Sequence, residues 1–349
     1  METILRQLFI AVVAAGICSG ASAQSSVTVY GRIDVSANWL NFDSTATRPS
    51  SSLKTLTSDA SLLGFSGTED LGGGSRAYFK LEHGLQLDTG IQSSPTAFWN
   101  REAYVGLGNA RAGSVQFGSQ WGPAVVLSAR TDAFSRLGDG ALVNPFQGAR
   151  GYTLQYQNAI QYLSPRFAGF GGKLLVSAGE GAVTGRSSAG QIDYSSGPAL
   201  AGLAVDRIKV VAASVGLVGA PVESTTVFMG AAYDFKVVRL NAWYQTNRID
   251  KLANVNGYAV GATVPFGASM LRAQVARRTQ ANAGGTLVAL GYDYSLSKRS
   301  LVYARLARQS NDGLSTIPLG PAVREVAAVG LPVAGQDVRG LQLGIRHSF

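Results

Sequence analysis

The chain has 349 residues, of which 46% are hydrophobic and 15% are charged, and its formal net charge is +9. An ordinary soluble domain has about 25% charged residues and about 7% glycine, whereas this chain contains 43 glycines. The high apolar fraction excludes an intrinsically disordered chain. The glycines keep no three-residue period, which excludes a collagen-like triple helix.

The N-terminus has the pattern of a secretory signal peptide, which we predict to span residues 1–23. Arg6 precedes a short apolar run, and Ala21-Ser22-Ala23 supplies the small residues of a cleavage site. The mature chain is then 24–349. It lacks the only cysteine, Cys18, and therefore holds no disulfide and no thiolate metal site. The alternative is an uncleaved N-terminal anchor helix.

Apolar and polar residues alternate with a period of two along the rest of the chain. From Val27 to Ala37 the odd positions are apolar or small and the even positions are polar, and the same alternation closes the chain from Leu341 onward. This period is typical of β-strands with one apolar and one polar face. The longest mature apolar stretch, 210–222, has about 13 residues, fewer than the ~18 of a transmembrane helix.

Short turns and long loops alternate between these segments. Tight turns, such as the one at Gly72-Gly73-Gly74, are followed by long polar or Gly/Pro-rich stretches at 40–58, 87–98, 121–156, 207–224 and 311–336. We predict about sixteen strands in an antiparallel up-and-down order. Their starts are near residues 27, 59, 75, 99, 113, 157, 172, 189, 199, 225, 235, 256, 268, 286, 300 and 337.

A sheet of this size must close, because open edges aggregate and large open sheets curl. Sixteen strands enclose a lumen too wide for side chains to fill, so the apolar face has to point outward into lipid. The fold class is therefore all-β, a transmembrane β-barrel with a wet, polar interior. A β-sandwich also accounts for single aromatic residues such as Phe65 and Tyr292. It does not account for a polar opposite face on so many strands.

Four segments resemble the trimeric general porins of Gram-negative outer membranes, and the resemblance covers essentially all of 24–349. They are 29–32 (VYGR), 63–72 (LGFSGTEDLG), 101–107 (REAYVGL) and 344–349 (GIRHSF). The resemblance implies a homotrimer in the cell outer membrane, in contact with lipid and lipopolysaccharide. It implies passive diffusion of small hydrophilic solutes and anions. The terminal Phe349 is similar to the signal that the barrel-assembly machinery reads.

The third of these long connections, 121–156, is the longest. About 36 residues separate Gln120 from Asn158, against the usual ~4–6. The resemblance places this loop inside the lumen, where it narrows the channel. A loop on the outer surface is the alternative, but apolar residues such as Phe134 and Phe146 favour packing against a wall.

The resemblance also implies a constriction in which basic wall residues face acidic residues of the third loop. On the wall we predict Arg32 and Arg101, which match family positions, and Arg76 and Lys80, which point inward by parity. On the loop we predict Asp132 and Asp139.

The basic side of this constriction is thinner than in the family. Leu62, Ser119 and Gln155 stand where relatives typically have arginine, and Ser66 where a basic residue is common. Parity nevertheless assigns more bases than acids to the lumen, and a lumen of one charge sign concentrates the opposite ion. The acids expected there are chiefly Asp34 and Glu82. The expected bases are Arg32, Arg76, Lys80, Arg101, Arg239, Arg272, Arg305 and Arg346. We predict a moderate preference for anions.

Other functions fit the sequence less well. His83 and His347 both have outward parity, so no nucleophile–base pair of a barrel hydrolase is visible. The basic charge is compatible with nucleic acid, but export to the envelope argues against it. No cofactor is predicted and no metal constellation is visible, although calcium in the long loops stays open. The alternatives are a ligand-specific outer-membrane channel and a structural or adhesin barrel.

Overall fold

A computed structural model describes residues 26–142, 146, 154–182, 186–320 and 331–349. The predicted signal peptide, 1–23, lies outside these ranges. The strands are β1 (Ser26–Phe42), β2 (Ser51–Ser58), β3 (Ser61–Gly72), β4 (Ser75–Gln86), β5 (Ile91–Gln92), β6 (Glu102–Asn109), β7 (Gly113–Trp121), β8 (Gln155–Leu163), β9 (Phe170–Ser177), β10 (Ser187–Ser196), β11 (Ala199–Val210), β12 (Val222–Asp234), β13 (Arg239–Ile249), β14 (Val255–Phe266), β15 (Ser269–Thr279), β16 (Gly285–Ser295), β17 (Ser300–Asn311) and β18 (Val338–Ser348). The helices are α1 (Pro123–Thr131) and a 3₁₀ turn, Ala212–Val215.

These strands form one closed antiparallel barrel with sixteen strand positions. Each strand pairs with its neighbours in chain order, and β1 pairs with β18 from Arg32 opposite Ser348 to Phe42 opposite Val338. β2 and β3 share one position, since both pair with the same edge of β1. The two-residue β5 only extends the edge of β4. The prediction of an all-β, up-and-down barrel of about sixteen strands is confirmed.

The strand starts lie within four residues of the predicted ones, except at the second position. There the stretch 51–58, which we predicted as loop, is strand β2. Leu53 and Thr57 face inward in β2, but Leu62 faces inward in β3, so parity switches between them. Ala60, whose φ is 57°, makes the switch. A strand that changes parity loses the period of two on which the prediction depends.

Side chains alternate between a buried inner set and an exposed apolar outer set. In β12, Ser224 and Phe228 are buried, whereas Met229 and Tyr233 are exposed. The ladder satisfies the backbone within the barrel, as a lipid environment requires. Within the described ranges, none of the helices has the length and hydropathy that a membrane crossing requires.

The segment that follows β7 packs against inward-facing side chains of the barrel. Helix α1 contacts β10 to β13, and Leu127, Phe134 and Phe146 join wall residues in one buried cluster. Phe146 rests on Gly257 of β14, where a Cβ atom would lie 1.8 Å from the ring. Only glycine leaves room for this contact.

Candidate functional site: the barrel interior

The first polar cluster lies on β4 and the start of β6. The Lys80 ammonium is 2.8 Å from Glu82 and 2.6 Å from Glu102, and the Arg101 Nε is 3.4 Å from Glu82. The Tyr30 hydroxyl donates a hydrogen bond to Glu82 at 2.9 Å. Two of the predicted wall cations, Lys80 and Arg101, are therefore brought together, and both are ion-paired.

The other two predicted wall cations form no ion pair with this cluster. Arg32 donates from Nε (3.2 Å) and Nη2 (2.7 Å) to the carbonyl of Ala60, and within the described ranges it forms no salt bridge. Arg76 is exposed one residue after the start of β4, at the turn end of the barrel, and covers the Tyr78 ring at 5.6 Å.

Asp132 organises the backbone of the third loop. Its carboxylate accepts hydrogen bonds from the backbone N–H groups of Phe134 (2.9 Å), Arg136 (2.9 Å) and Leu142 (3.0 Å). The side chain is buried. Burial raises the pKa of Asp132, although these three donors oppose the shift. The carboxylate therefore faces the loop backbone and not water.

Asp139 is fully buried where the loop meets β18. Its backbone N–H donates to the Gln342 side chain at 3.1 Å. Burial and the nearby charge of Asp59 raise the pKa of Asp139 to about 7. The loop consequently carries less negative charge at neutral pH than two ordinary aspartates would give it.

A second set of charges lines β1 and β15 to β18. Arg346 Nε is 2.6 Å from Asp34, which also accepts from the Tyr303 hydroxyl at 2.8 Å. Asp293 binds Arg272 at 2.8 Å and forms a shorter contact with Arg305. These pairs spread charge around the wall and share no ion pair with the Lys80 cluster.

Comparison with known proteins identifies the family of this barrel. The family model described as Gram-negative porin matches residues 10–314. The chain belongs to the Gram-negative porin family.

Individual porins agree with this assignment. Outer membrane porin protein 32 of Delftia acidovorans is 31% identical, over 99% of this chain and all of its own. The structure of the anion-selective porin from Comamonas acidovorans superimposes with a TM-score of 0.81 at 28% identity, covering 93% of this porin and all of that chain. The trimer form of OmpT from Vibrio cholerae shares the fold, with a TM-score of 0.67 at 15% identity, covering 93% and 99%. The protein is accordingly an outer-membrane β-barrel, with the fold of channels and not of enzymes.

Sequence reasoning missed most of the inward acids of this porin. Glu102, Asp193, Asp206 and Asp293 lie buried on the inner face, as does Asp59 between β2 and β3. Parity applied to every strand finds the first four. Asp59 escapes it, because it lies at the parity switch. The expectation that Asp34 and Glu82 are the chief inward acids is wrong, and the excess of inward bases is smaller than predicted.

One departure from the family pattern has a clear use in this porin. The Gln155 side chain donates to the carbonyls of Asn100 (2.7 Å) and Arg101 (2.9 Å). An amide therefore ties the start of β8 to the backbone that carries Arg101.

Among the residues described, no group of three or more His, Cys, Asp or Glu has a metal-site arrangement.

Proposed function

We propose that this porin conducts small hydrophilic solutes and ions by passive diffusion through a water-filled lumen, with a moderate preference for anions. One observation carries the preference: in the inward ion pairs the base is more exposed than the acid. Lys80 is 29% exposed and Glu82 7%, and Arg130 is 38% exposed and Asp193 3%. Arg305 with Asp293 is the exception, since both are buried.

This asymmetry matters because ions in the lumen respond to charges that border water. A carboxylate buried behind its basic partner lowers the total charge of the lumen, but the group that borders the water is the base. A cleft lined by cations raises the local concentration of anions. Arg32 and Arg239 add charges that no carboxylate pairs with in the described ranges. The anion-selective relative from Comamonas supports the same sign.

We also propose that the third loop, 121–156, forms the constriction inside the lumen. Its described part reaches from β10, where Arg130 binds Asp193, to Gln342 of β18. Such contacts with opposite sides of the inner wall support a position inside the barrel. On this proposal Arg32, Lys80 and Arg101 form the wall side of the constriction, and Arg76 lines its approach.

The loop side of the constriction is assigned to Asp132 and Asp139. Because both are buried, their role in the proposal is to hold the shape of the loop, while the exposed bases set the sign of selectivity.

Replacing Arg101 by alanine is expected to weaken the anion preference. A unit charge about 8 Å from a permeating ion in water contributes about 0.5 kcal/mol. The chloride-to-potassium permeability ratio should therefore fall by about twofold or more, and salt screens the effect. The measurement is the reversal potential of single channels in a dilute KCl gradient.

Arg248→Ala is the matched control, because Arg248 is an exposed residue on the outer face of β13. Its ratio should equal that of the parent. Cation preference in the parent protein would contradict the proposal, and saturable conductance blocked by one solute would favour the ligand-specific alternative.

We propose that three mature subunits, residues 24–349 after removal of the predicted signal peptide, assemble in the membrane and contact lipopolysaccharide. The trimer form of OmpT from Vibrio cholerae, which shares this fold, supports the assembly. Exposed bases on the outer face near the loop end support the lipid contact. Arg207 and Arg248 lie opposite the same residue, Thr225, on three neighbouring strands, so their backbones are about 10 Å apart.

Bases placed in this way bind the phosphate groups of lipopolysaccharide, since guanidinium pairs well with phosphate. Neither Arg207 nor Arg248 forms a salt bridge with a described residue. The double variant Arg207→Ala and Arg248→Ala should copurify with about tenfold less lipopolysaccharide, the loss expected for one or two charge-assisted bonds. Phosphate analysis of detergent-purified protein measures this. Arg101→Ala is the control, and equal lipid content in both would refute the contact.

A further inference from the structure

A cavity of about 470 Å³ lies between the end of helix α1 and the inner wall near the turn end of the barrel. We call it the arginine pocket. Its polar lining consists chiefly of Arg130, Ser195, Arg239, Asn241, Thr263 and Arg272. None of these residues belongs to the Lys80 and Arg101 cluster, so the pocket is separate from the proposed constriction wall.

Three guanidinium groups border the pocket, and protein hydrogen bonds hold them in place. Arg239 donates from Nη2 to the carbonyl of Arg130 at 2.9 Å. Arg272 donates from Nε to Asp293 at 2.8 Å and from Nη1 to the carbonyl of Ala133. Each bond occupies part of a five-donor group, which leaves further N–H donors for the pocket.

The charge of the pocket is positive after its acids are counted. Asp193 is shared by Arg130 (3.2 Å) and Arg166, and Asp293 is shared by Arg272 and Arg305. Arg239 forms no ion pair within the described ranges, and its guanidinium group donates to a carbonyl instead. Asp132 also lines the pocket, so five guanidinium groups stand against three carboxylates in and directly behind the lining.

Asn241 adds a largely buried amide group to the lining of the pocket. The residue is 5% exposed and lines the pocket. In the described structure its amide oxygen has no hydrogen-bond partner. Buried amide atoms without partners are uncommon, and the amide group of asparagine also carries two N–H donors, which an anion can accept.

We propose that the arginine pocket binds a compact oxyanion with two negative charges, of the chemistry of inorganic phosphate. Guanidinium groups in fixed positions and an amide donor match several oxygens at once, which chloride does not offer. The inference rests on the proposed porin function, because the ion reaches the pocket through the lumen. Within that function it makes the pocket a binding subsite for multivalent oxyanions.

Calorimetric titration of inorganic phosphate into the folded, detergent-solubilised protein tests the proposal. The chloride concentration and the ionic strength are held constant during the titration. The parent protein should bind phosphate saturably. Arg239→Gln should raise the dissociation constant by about tenfold or more, as expected for one charge-assisted contact. Asn241→Leu keeps the charge and should raise it by about threefold to tenfold, as expected for one neutral hydrogen bond.

Arg308→Gln is the matched control, because it removes the same charge from an exposed residue that pairs with Asp337 outside the pocket. Its phosphate affinity should equal that of the parent. Absence of saturable heat in the parent, or unchanged affinity in both pocket variants, overturns the proposal.

Conductance of the same proteins separates this proposal from the porin function. Asn241→Leu should leave the permeability ratio in KCl unchanged while relieving a phosphate block of the chloride current. Anion-preferring channels without saturable phosphate binding would refute the pocket and leave the porin function standing. Phosphate binding by a protein that forms no channels would refute the porin function alone.

Discussion

Removing the third loop should raise single-channel conductance by about twofold or more, since conductance follows the open cross-section of a pore. The strand ends are suited to a clean excision. Trp121 lies directly opposite Gln155, and the backbone N–H of Gly122 donates to the carbonyl of Leu154 at 2.9 Å. A two-residue Asn-Gly turn fits such a pair, so it replaces residues 123–153 while leaving the strand register in place.

The excised barrel should still fold, although with a lower melting temperature. It loses the buried contacts of Leu127 and Phe134, each worth about 1.5–3 kcal/mol. The backbone ladder that closes the barrel does not involve the loop. Circular dichroism and heat-modifiable mobility check the fold before conductance is measured in planar bilayers. Unchanged conductance in a folded barrel would show that the loop lies outside the lumen.

A point substitution tests the same docking without shortening the chain. In Gly257→Leu the new side chain occupies the place of the Phe146 ring, because the Cβ atom alone would lie 1.8 Å from it. Gly190→Leu is the control, since its Cβ would meet nothing closer than 3.6 Å on the outer face. We expect noisier and larger conductance only for the first variant.

The strands were predictable because each one separates two solvents. Val27 to Ala37 alternates in sequence because its two faces meet lipid and water, so parity alone places Asp34 inside. Parity failed at Asp59, where one residue with positive φ reverses the faces. A local backbone switch of this kind leaves no period to detect.

The electrostatics of the interior were less predictable. Glu82 lies directly opposite Glu102, and the Lys80 ammonium bridges the two carboxylates. Parity places all three inside, but which partner borders water depends on the register and on neighbours such as Tyr30. The role of Asp132 follows from backbone N–H groups up to ten residues away, which spacing alone does not assign.

Deleting Phe349 should reduce the amount of assembled barrel in the outer membrane by about tenfold or more, because the deletion leaves backbone groups unpaired in an apolar environment. The backbone N–H of Phe349 donates to the carbonyl of Gly31 at 3.1 Å, and the N–H of Gly31 donates back at 3.1 Å. The ring covers Gly31 on the outer face, where a Cβ would lie 2.4 Å from it. These contacts close the seam between β18 and β1.

Two further measurements distinguish an assembly signal from a structural contact. Phe349→Ala keeps both backbone bonds but removes the ring, whereas Gly31→Ala displaces the ring but keeps the terminal residue. If the barrel-assembly machinery reads Phe349, the Phe349→Ala protein should refold in detergent yet fail to accumulate in cells, and Gly31→Ala should accumulate. Quantifying heat-modifiable trimer in outer-membrane fractions provides the readout. Normal trimer levels in the deletion strain would exclude both roles, because neither the seam nor the signal would then depend on Phe349.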